Sequence, residues 1–343
     1  IYTFWAKHGP CQVTGCGHRT PIMSSPVMAV KALSVKHWEH TCGKCGGEFN
    51  VEEDAARMAP DVPLVVAPSE QPYALLDPTG SVTCPHCAHK AAAHIHPKDG
   101  MVIAGERGQI KLGKGKNKKV ELSLLVHPQW LAGSPKQDAE GLPYGGAVQD
   151  DAASTARWNK ERAEKIRLLE VRGELPEVVT CPDSKVTIKT SEGTIAKKSA
   201  FACASCGTVQ DVLKSMTGNG GKAPMAAYAV QAVSPKLKAS GASYGGRFFA
   251  ALEDSRQFDA ASAEWESRKD SDLSAYWPRT AVPEGFKTTY QKIPQHGYKL
   301  FADMFNPRQS LVLAQLLKAI LEVSPSEYRW ETREYVLAAF QQY

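Results

Sequence analysis

The stretch "FACASCGTVQ" (residues 201–210) holds the pair Cys203-x-x-Cys206, which is half of a thiolate metal site. A zinc ion bound by thiolates takes four ligands at tetrahedral geometry, and one C-x-x-C turn supplies two of them. Working outward, the chain has nine cysteines: Cys11, Cys16, Cys42, Cys45, Cys84, Cys87, Cys181, Cys203 and Cys206. Eight fall into four close pairs separated by tens of residues. That is a metal pattern, because each pair forms a knuckle whose turn points both sulfurs at one ion. Disulfides would leave one cysteine over and would need an oxidising compartment. A redox C-x-x-C opens a helix once; here three such pairs occur, each followed by Gly or another small residue.

Which knuckle joins which is less constrained. "HTCGKCGGEF" (40–49) and "SVTCPHCAHK" (81–90) read as two short hairpins, so Cys42, Cys45, Cys84 and Cys87 make a complete four-thiolate ribbon. "GPCQVTGCGHRTP" (9–21) and the opening stretch then leave Cys11, Cys16, Cys203 and Cys206 for a second site. An alternative swaps partners and joins 84/87 with 203/206. Cys181 sits in "VTCPDSKVT", where a knuckle would need a second cysteine but has Ser184; it reads as a small buried strand residue, with a substitute ligand as the other option. With four thiolates at hand, His86, His89, His94 and His96 read as exposed hairpin residues, and His8 and His18 likewise, since structural sites close at four ligands.

Composition bounds the rest. A chain of 343 residues is long enough for two or more domains, or for one large domain with insertions. Its 43% hydrophobic and 22% charged residues are ordinary for a globular protein. No run of eighteen apolar residues signals a transmembrane helix. The opening "IYTFWAKHGP" has neither the basic start nor the apolar block of a secretory signal. It lacks an initiator Met and reads like the middle of a strand, so a piece of a longer, cytoplasmic chain is expected. The net charge of +5 allows a polyanionic partner without demanding one.

Strands are expected over 101–131, with "KLGKGKNKK" (111–119) between them as a basic hairpin tip able to track phosphates. Alternating charges with Gly173 at the C-cap position predict a surface helix over 150–173. "EVVTCP", "KVTIKT", "SAFACASCG", "AAYAVQAV" and "SYGGRFFAAL" read as strands. "MTGNGGKAP" (216–224) is a turn, since it lacks the G-x-x-x-x-G-K-[ST] pattern of a phosphate loop. A charged helix follows in "DSRQFDAASAEWESRKDSDL". Another is expected over 305–323, with an Asn cap, Pro at its first position and a stripe of Leu313, Leu316, Leu317 and Ile320. A last helix runs from Pro325. The fold class is therefore α+β: β-rich zinc modules, then a helical C-terminal part.

"IYTFWAKHGPCQVTGCGHRTPIM", "GTIAKKSAFACASCGTVQD", "AAYAVQAV", "GRFFAA", "DLSAYWPRTAVPEGF" and "HGYKLFADMFNPRQSLVLAQLLKAI" together resemble the adenine-specific DNA methylases that contain a zinc ribbon, large bacterial proteins with a domain of unknown function at the amino end. The resemblance covers most of the chain. In that family an early C-x-n-C-G pairs with a later C-x-x-C-G, which implies Cys11 and Cys16 with Cys203 and Cys206. Cys42 to Cys87 would then be an inserted second ribbon, giving two structural zinc sites. The organisation implied is a first half of the outer ribbon (1–41), an inserted inner ribbon (42–90) and a β-rich segment with the basic loop (91–150). After the helix (151–173) come the second half of the outer ribbon with a β segment (174–252) and a mostly helical segment (253–343).

The resemblance also implies a reaction, methyl transfer from S-adenosylmethionine to the N6 amine of adenine in DNA. That chemistry needs a Gly-rich cofactor turn and a D/N-P-P-aromatic loop around a flipped base. The nearest stretches, Asn306-Pro307-Arg308-Gln309 and Asp77-Pro78-Thr79-Gly80, lack the second Pro and the aromatic. The expected role is thus a zinc-binding accessory or DNA-recognition region of such a methylase, in restriction–modification or anti-phage defence, without catalytic residues of its own. Phosphate contacts are expected from Lys114, Lys116, Lys118, Lys119, Lys197 and Lys198, with Arg308 at a helix start. The remaining methylase domains or a defence-system subunit are the expected protein partners. Two other classes are a zinc-ribbon protein-interaction module and a structural brace with no DNA contact. A hydrolytic zinc enzyme is disfavoured, because no H-E-x-x-H motif and no three-ligand His/Asp set is present.

Overall fold

A computed structural model describes residues 1–13, 19–126, 168–183, 185, 187–197, 199–204, 206–217, 225–242, 244–252, 256–283, 285, 293–322 and 330–341. In chain order the strands begin with β1 (Tyr2–Pro10), β2 (Arg19–Pro21), β3 (Val27–Thr41), β4 (Glu48–Glu52), β5 (Leu64–Val66) and β6 (Tyr73–Leu75). Then come β7 (Ser81–Thr83), β8 (Lys90–His96), β9 (Gly100–Gly105), β10 (Gly108–Lys111), β11 (Lys116–Val126) and β12 (Leu168–Arg172). The last are β13 (Val178–Thr180), β14 (Thr187–Lys189), β15 (Ala200–Ala202), β16 (Val209–Asp211), β17 (Met225–Val233) and β18 (Arg247–Ala251). The helices are α1 (Val212–Thr217), α2 (Pro235–Ala239), α3 (Arg256–Arg268), α4 (Pro307–Glu322) and α5 (Trp330–Phe340). The class is α+β, as the sequence predicts.

A six-stranded mixed sheet, order β5-β12-β11-β3-β4-β6, is the centre of the molecule. In β11 the outer half alternates, with Val120 and Leu122 buried and Lys119 and Glu121 exposed. Its inner half, Leu122 to Val126, is buried throughout because both faces of the sheet are covered there. One face meets the sheet β18-β17-β1-β2: Leu33, Val35, Leu122 and Leu124 pack against Ala6, Tyr228, Ala229 and Phe249. The other face, through Leu125, Leu169 and Val171, is closed by the β13–β14 hairpin with Val179, Cys181 and Ile188. Each such leucine, fully buried, contributes roughly 1.5–3 kcal/mol.

The helix expected over 150–173 is corrected at its end: Leu168–Arg172 is a strand, antiparallel to β11 and parallel to β5. Residues 150–167 of that expectation lie outside the described residues. The strand tolerates its charges because each has an internal partner. Glu170 accepts from Met58 N at 2.6 Å and Arg57 Nε at 2.7 Å, and Arg172 donates to both carboxylate oxygens of Glu52. The basic stretch 111–119 is not a hairpin tip either. It crosses from β10, at the edge of the sheet β10-β9-β8-β7, into β11 of the central sheet.

The helices form where expected, with one correction: the face that α4 buries is Leu311, Ala314 and Ile320, while Leu316 of the expected stripe is exposed, and residues 323–329, where the last helix is expected to start, lie outside the described residues. Trp5 on β1 meets Phe258 of α3 with ring centroids 4.5 Å apart, and Trp265 and Leu273 pack on Leu311 and Ala314 of α4. At the start of α4, Gln309 N donates to Asn306 Oδ1 and Asn306 N to Gln309 Oε1, each at 3.0 Å. This reciprocal cap satisfies two of the donors a helix end leaves orphaned. No described helix is long and apolar enough to cross a membrane.

Candidate metal centres

Four hairpin ends bring the cysteines together. The turn between β3 and β4 carries Cys42 and Cys45, and the turn between β7 and β8 carries Cys84 and Cys87. The four sulfurs lie within 4.8 Å of one another. Cys42 Sγ is 3.8 Å from Cys87 Sγ, and Cys45 Sγ is 3.8 Å from Cys84 Sγ. A zinc ion with about 2.3 Å bonds to a tetrahedron of thiolates sets its sulfurs about 3.8 Å apart. A disulfide would hold them at about 2.05 Å. Four thiolates at tetrahedral spacing fit zinc and leave no position open for water, which is the character of a structural site. Cys42 and Cys84 are buried, Cys87 is half-buried and Cys45 faces solvent.

The second cluster is built by the opening stretch. Cys203 and Cys206, between β15 and β16, meet Cys11 just after β1, all three sulfurs again lying within 4.8 Å. Cys11 Sγ is 3.7 Å from Cys206 Sγ across 195 residues of chain. Cys16 lies outside the described residues, as do His18 and Lys198. The swapped pairing of 84/87 with 203/206 is not what forms; the inner and outer clusters are separate, one nested in sequence within the other.

The surroundings of the outer cluster were not foreseen. Gln210, the last residue of the opening stretch and buried on β16, donates from Nε2 to Cys11 Sγ at 3.1 Å, while its Oε1 accepts from Gln12 N at 2.6 Å. Such an outer contact fixes a ligand's orientation. Its alternation with exposed Val209 and Asp211 was the available signal. Hydrogen bonds from the side chain and backbone of Thr208, together with those of Cys11 and Cys203, lower the pKa of the Cys206 thiol to about 6. Backbone hydrogen bonds at Cys45 and Lys44, helped by the neighbouring thiols, hold Cys42 at about 7. Both shifts favour the thiolate that binds metal, whereas Cys87 goes the other way: against its backbone hydrogen bond at His89, burial and the neighbouring thiols push its pKa up to about 12.

The knuckles share one backbone turn. Cys42 N donates to Gly47 O and Gly46 N to Cys42 O; Cys84 N donates to His89 O and Ala88 N to Cys84 O. Cys203 N donates to Thr208 O and Gly207 N to Cys203 O. The fifth residue is left-handed in each, with φ of 70° at Gly46, 56° at Ala88 and 72° at Gly207. Glycine suits that conformation; an alanine there costs about 1–2 kcal/mol. Cys181 heads a fourth copy: Lys185 N donates to Cys181 O at 3.0 Å with φ of 60° at Lys185. Cys181 is buried, as read, but in the turn following β13 and against the apolar Val179 and Ile188.

The histidines divide. His86, His89 and His94 are exposed, and His86 Nε2 lies 3.0 Å from Glu48 O instead of joining the thiolates. His8 departs from expectation. It is fully buried, on the strand face it shares with Ala6.

Of the basic residues, Lys116, Lys118 and Lys119 share β11, Lys114 precedes it, and Lys197 and Arg308 lie elsewhere. Lys116 pairs with Glu39 at 3.1 Å, and Lys118 turns inward to Glu52 and Glu70 at 3.1 and 3.0 Å. Lys118 thus serves the interior. Lys114, Lys119 and Lys197 are exposed, and Arg308 is half-buried in the first turn of α4. No family model, no curated protein and no solved structure matches the chain.

Proposed function

We propose that this chain is the zinc-binding accessory region of an S-adenosylmethionine-dependent DNA adenine-N6 methyltransferase of a restriction or defence system. In this reading two structural zinc ions hold a DNA-handling surface beside catalytic parts supplied by other domains. The observation that carries the reading is the long-range pairing of Cys11 with Cys203 and Cys206, which is the pairing the sequence resemblance implies. The ions would be held by Cys42, Cys45, Cys84 and Cys87, and by Cys11, Cys203 and Cys206 with Cys16. Zinc there supplies a cross-link between distant strands. With every coordination position occupied by a thiolate, the site serves folding and not water activation. Lys114, Lys116, Lys119, Lys197 and Arg308, with Lys198 outside the described residues, are the phosphate contacts of the proposal; Lys118 is not among them because of its internal ion pairs.

Two measurements on the full chain test this. Elemental analysis is expected to give two zinc ions, falling to one in Cys203→Ser. Fluorescence anisotropy on duplex DNA is expected to show affinity that falls steeply with salt, as phosphate contacts require. Two zinc ions with no DNA binding at low salt would favour the interaction-module reading. That reading has its own support: Val312 and Leu316 on α4, and Tyr335 and Val336 on α5, expose apolar surface.

A further inference from the structure

The sixteen residues of α4 present three faces. Leu311 and Ala314 pack against Trp265 of α3 and Leu273. Leu313 and Leu317 line a cavity with Tyr276, Trp277 and Phe340. The third face carries Gln309, Val312, Leu316 and Ala319, all exposed, Val312 by 53% and Leu316 by 44%. At about 100° per residue these four fall within an arc of about 80°. A helix face turned to water is normally charged, and this arc holds no charge.

Two features of the helix point to what covers it. The first is spacing. Gln309, Val312, Leu316 and Ala319 follow one another by three, four and three residues, an order that reads the same in either direction. An antiparallel copy related by a two-fold axis therefore sets Val312 against Leu316 and Gln309 against Ala319, each twice, as an isologous interface requires. The second is charge. The first turn of α4 holds no acid and the last turn no base. Instead Arg308 opens the helix and Glu322 closes it, each opposed to the dipole of its own helix. Among the described residues Arg308 has no carboxylate within ion-pair distance, and Glu322 is exposed, accepting a hydrogen bond from Tyr276 Oη at 3.0 Å. Both charges lie beyond the same edge of the arc, next to Ala319. In the antiparallel pair Arg308 comes level with Glu322 of the second copy, to within about 3 Å along the axis. Each charge then meets the opposite helix at the end whose dipole favours it.

We propose that this face of α4 is a self-association surface, on which a second copy of the chain packs its own α4 antiparallel about a two-fold axis, with Arg308 and Glu322 paired at both ends. The inference does not rest on the DNA-handling reading, and it sets phosphate and the second copy's Glu322 in competition for Arg308.

Sedimentation velocity of the full chain tests it. A monomer–dimer equilibrium is expected to shift through the micromolar range, since one helix pair is small for a permanent interface. Leu316→Glu should weaken association by about thirtyfold or more, because it charges the centre of the contact. Arg308→Glu should weaken it by about tenfold or more, since like charges then meet twice in each dimer. Adding Glu322→Arg should restore the wild-type constant to within about threefold, the opposite charges being exchanged. Both reversals agree with the dipole of α4, so zinc content and far-UV circular dichroism should stay at their wild-type values. A monomer at every concentration would overturn the proposal. So would a dimer indifferent to Leu316→Glu, or a doubly reversed variant no better than Arg308→Glu. A chain that pairs only when duplex DNA is added would overturn it in favour of DNA as the bridge, and would leave the DNA-handling reading standing.

Discussion

Arg172 is 1% exposed and keeps its full charge inside the central sheet. Its guanidinium reaches Glu52 Oε2 at 2.9 Å and Oε1 at 2.5 Å, comes within 3.2 Å of Glu70, and stacks 3.6 Å from the ring centre of Tyr73. Burial works against the charge, and the hydrogen bonds and attraction of Glu52 more than reverse it, so its pKa is raised. The net worth of a buried pair against an apolar pair is small, but one stranded charge is expensive. Arg172→Met leaves the buried Glu52 with Lys118 as its remaining cation among the described residues, so the cost should reach about 3 kcal/mol, the low end for a broken buried pair, read from the urea midpoint at constant slope. Adding Glu52→Leu should recover most of that loss. A double variant no better than the single one would show that the carboxylate was never the problem. Glu52 ends β4, opposite His37 and at the far end of that strand from the first knuckle, so this ion pair fastens the base of the metal-bearing hairpin to β12.

Among the elements, the four Cys-headed turns form a built-in comparison. Three carry a second cysteine and meet a partner turn, or in the outer site the segment after β1; the β13–β14 turn belongs to neither metal cluster and packs Cys181 among apolar neighbours. Stripping metal with a strong chelator should speed hydrogen exchange at the amides of Gly46, Ala88 and Gly207 and leave that of Lys185 protected. Equal loss at all four would mean that the metal supports the whole fold and not its own turns. The turns themselves were legible, because C-x-x-C followed by Gly or a small residue is a local signal. The pairing of their halves was not fixed by spacing, since Cys11 and Cys206 are 195 residues apart. The strand at Leu168–Arg172 was hidden for the same reason. Charge alternation upstream ran on into Glu170 and Arg172, whose partners Met58 and Glu52 lie 112 and 120 residues away. No window of sequence carries that information. Asn306-Pro307-Arg308-Gln309, by contrast, states its cap within four residues, and the helix starts where it was read.

Over the whole molecule, β3 decides how far the zinc ribbon is a module of its own. Its fifteen residues extend over about 50 Å at the usual rise. Leu33 and Val35 belong to the core between the two large sheets, while Trp38 and Cys42 belong to the core under the inner metal cluster. The expected boundary at residue 41/42 thus falls at the end of a strand common to both cores. Zinc release from the inner site, followed with a chromophoric chelator during heating of Cys203→Ser, should coincide with the loss of far-UV circular dichroism. Release well before unfolding would separate the two parts. The shared strand also restricts how this protein can change over evolutionary time. Side chains alternate faces along β3, so lengthening it by a single residue would turn its outer half over and aim Trp38 at solvent. Growth or shrinkage by two residues would keep every side chain on its face and move the metal-bearing tip by about 7 Å. The reach of that tip can therefore be adjusted only in even steps, matched in the paired strand β11.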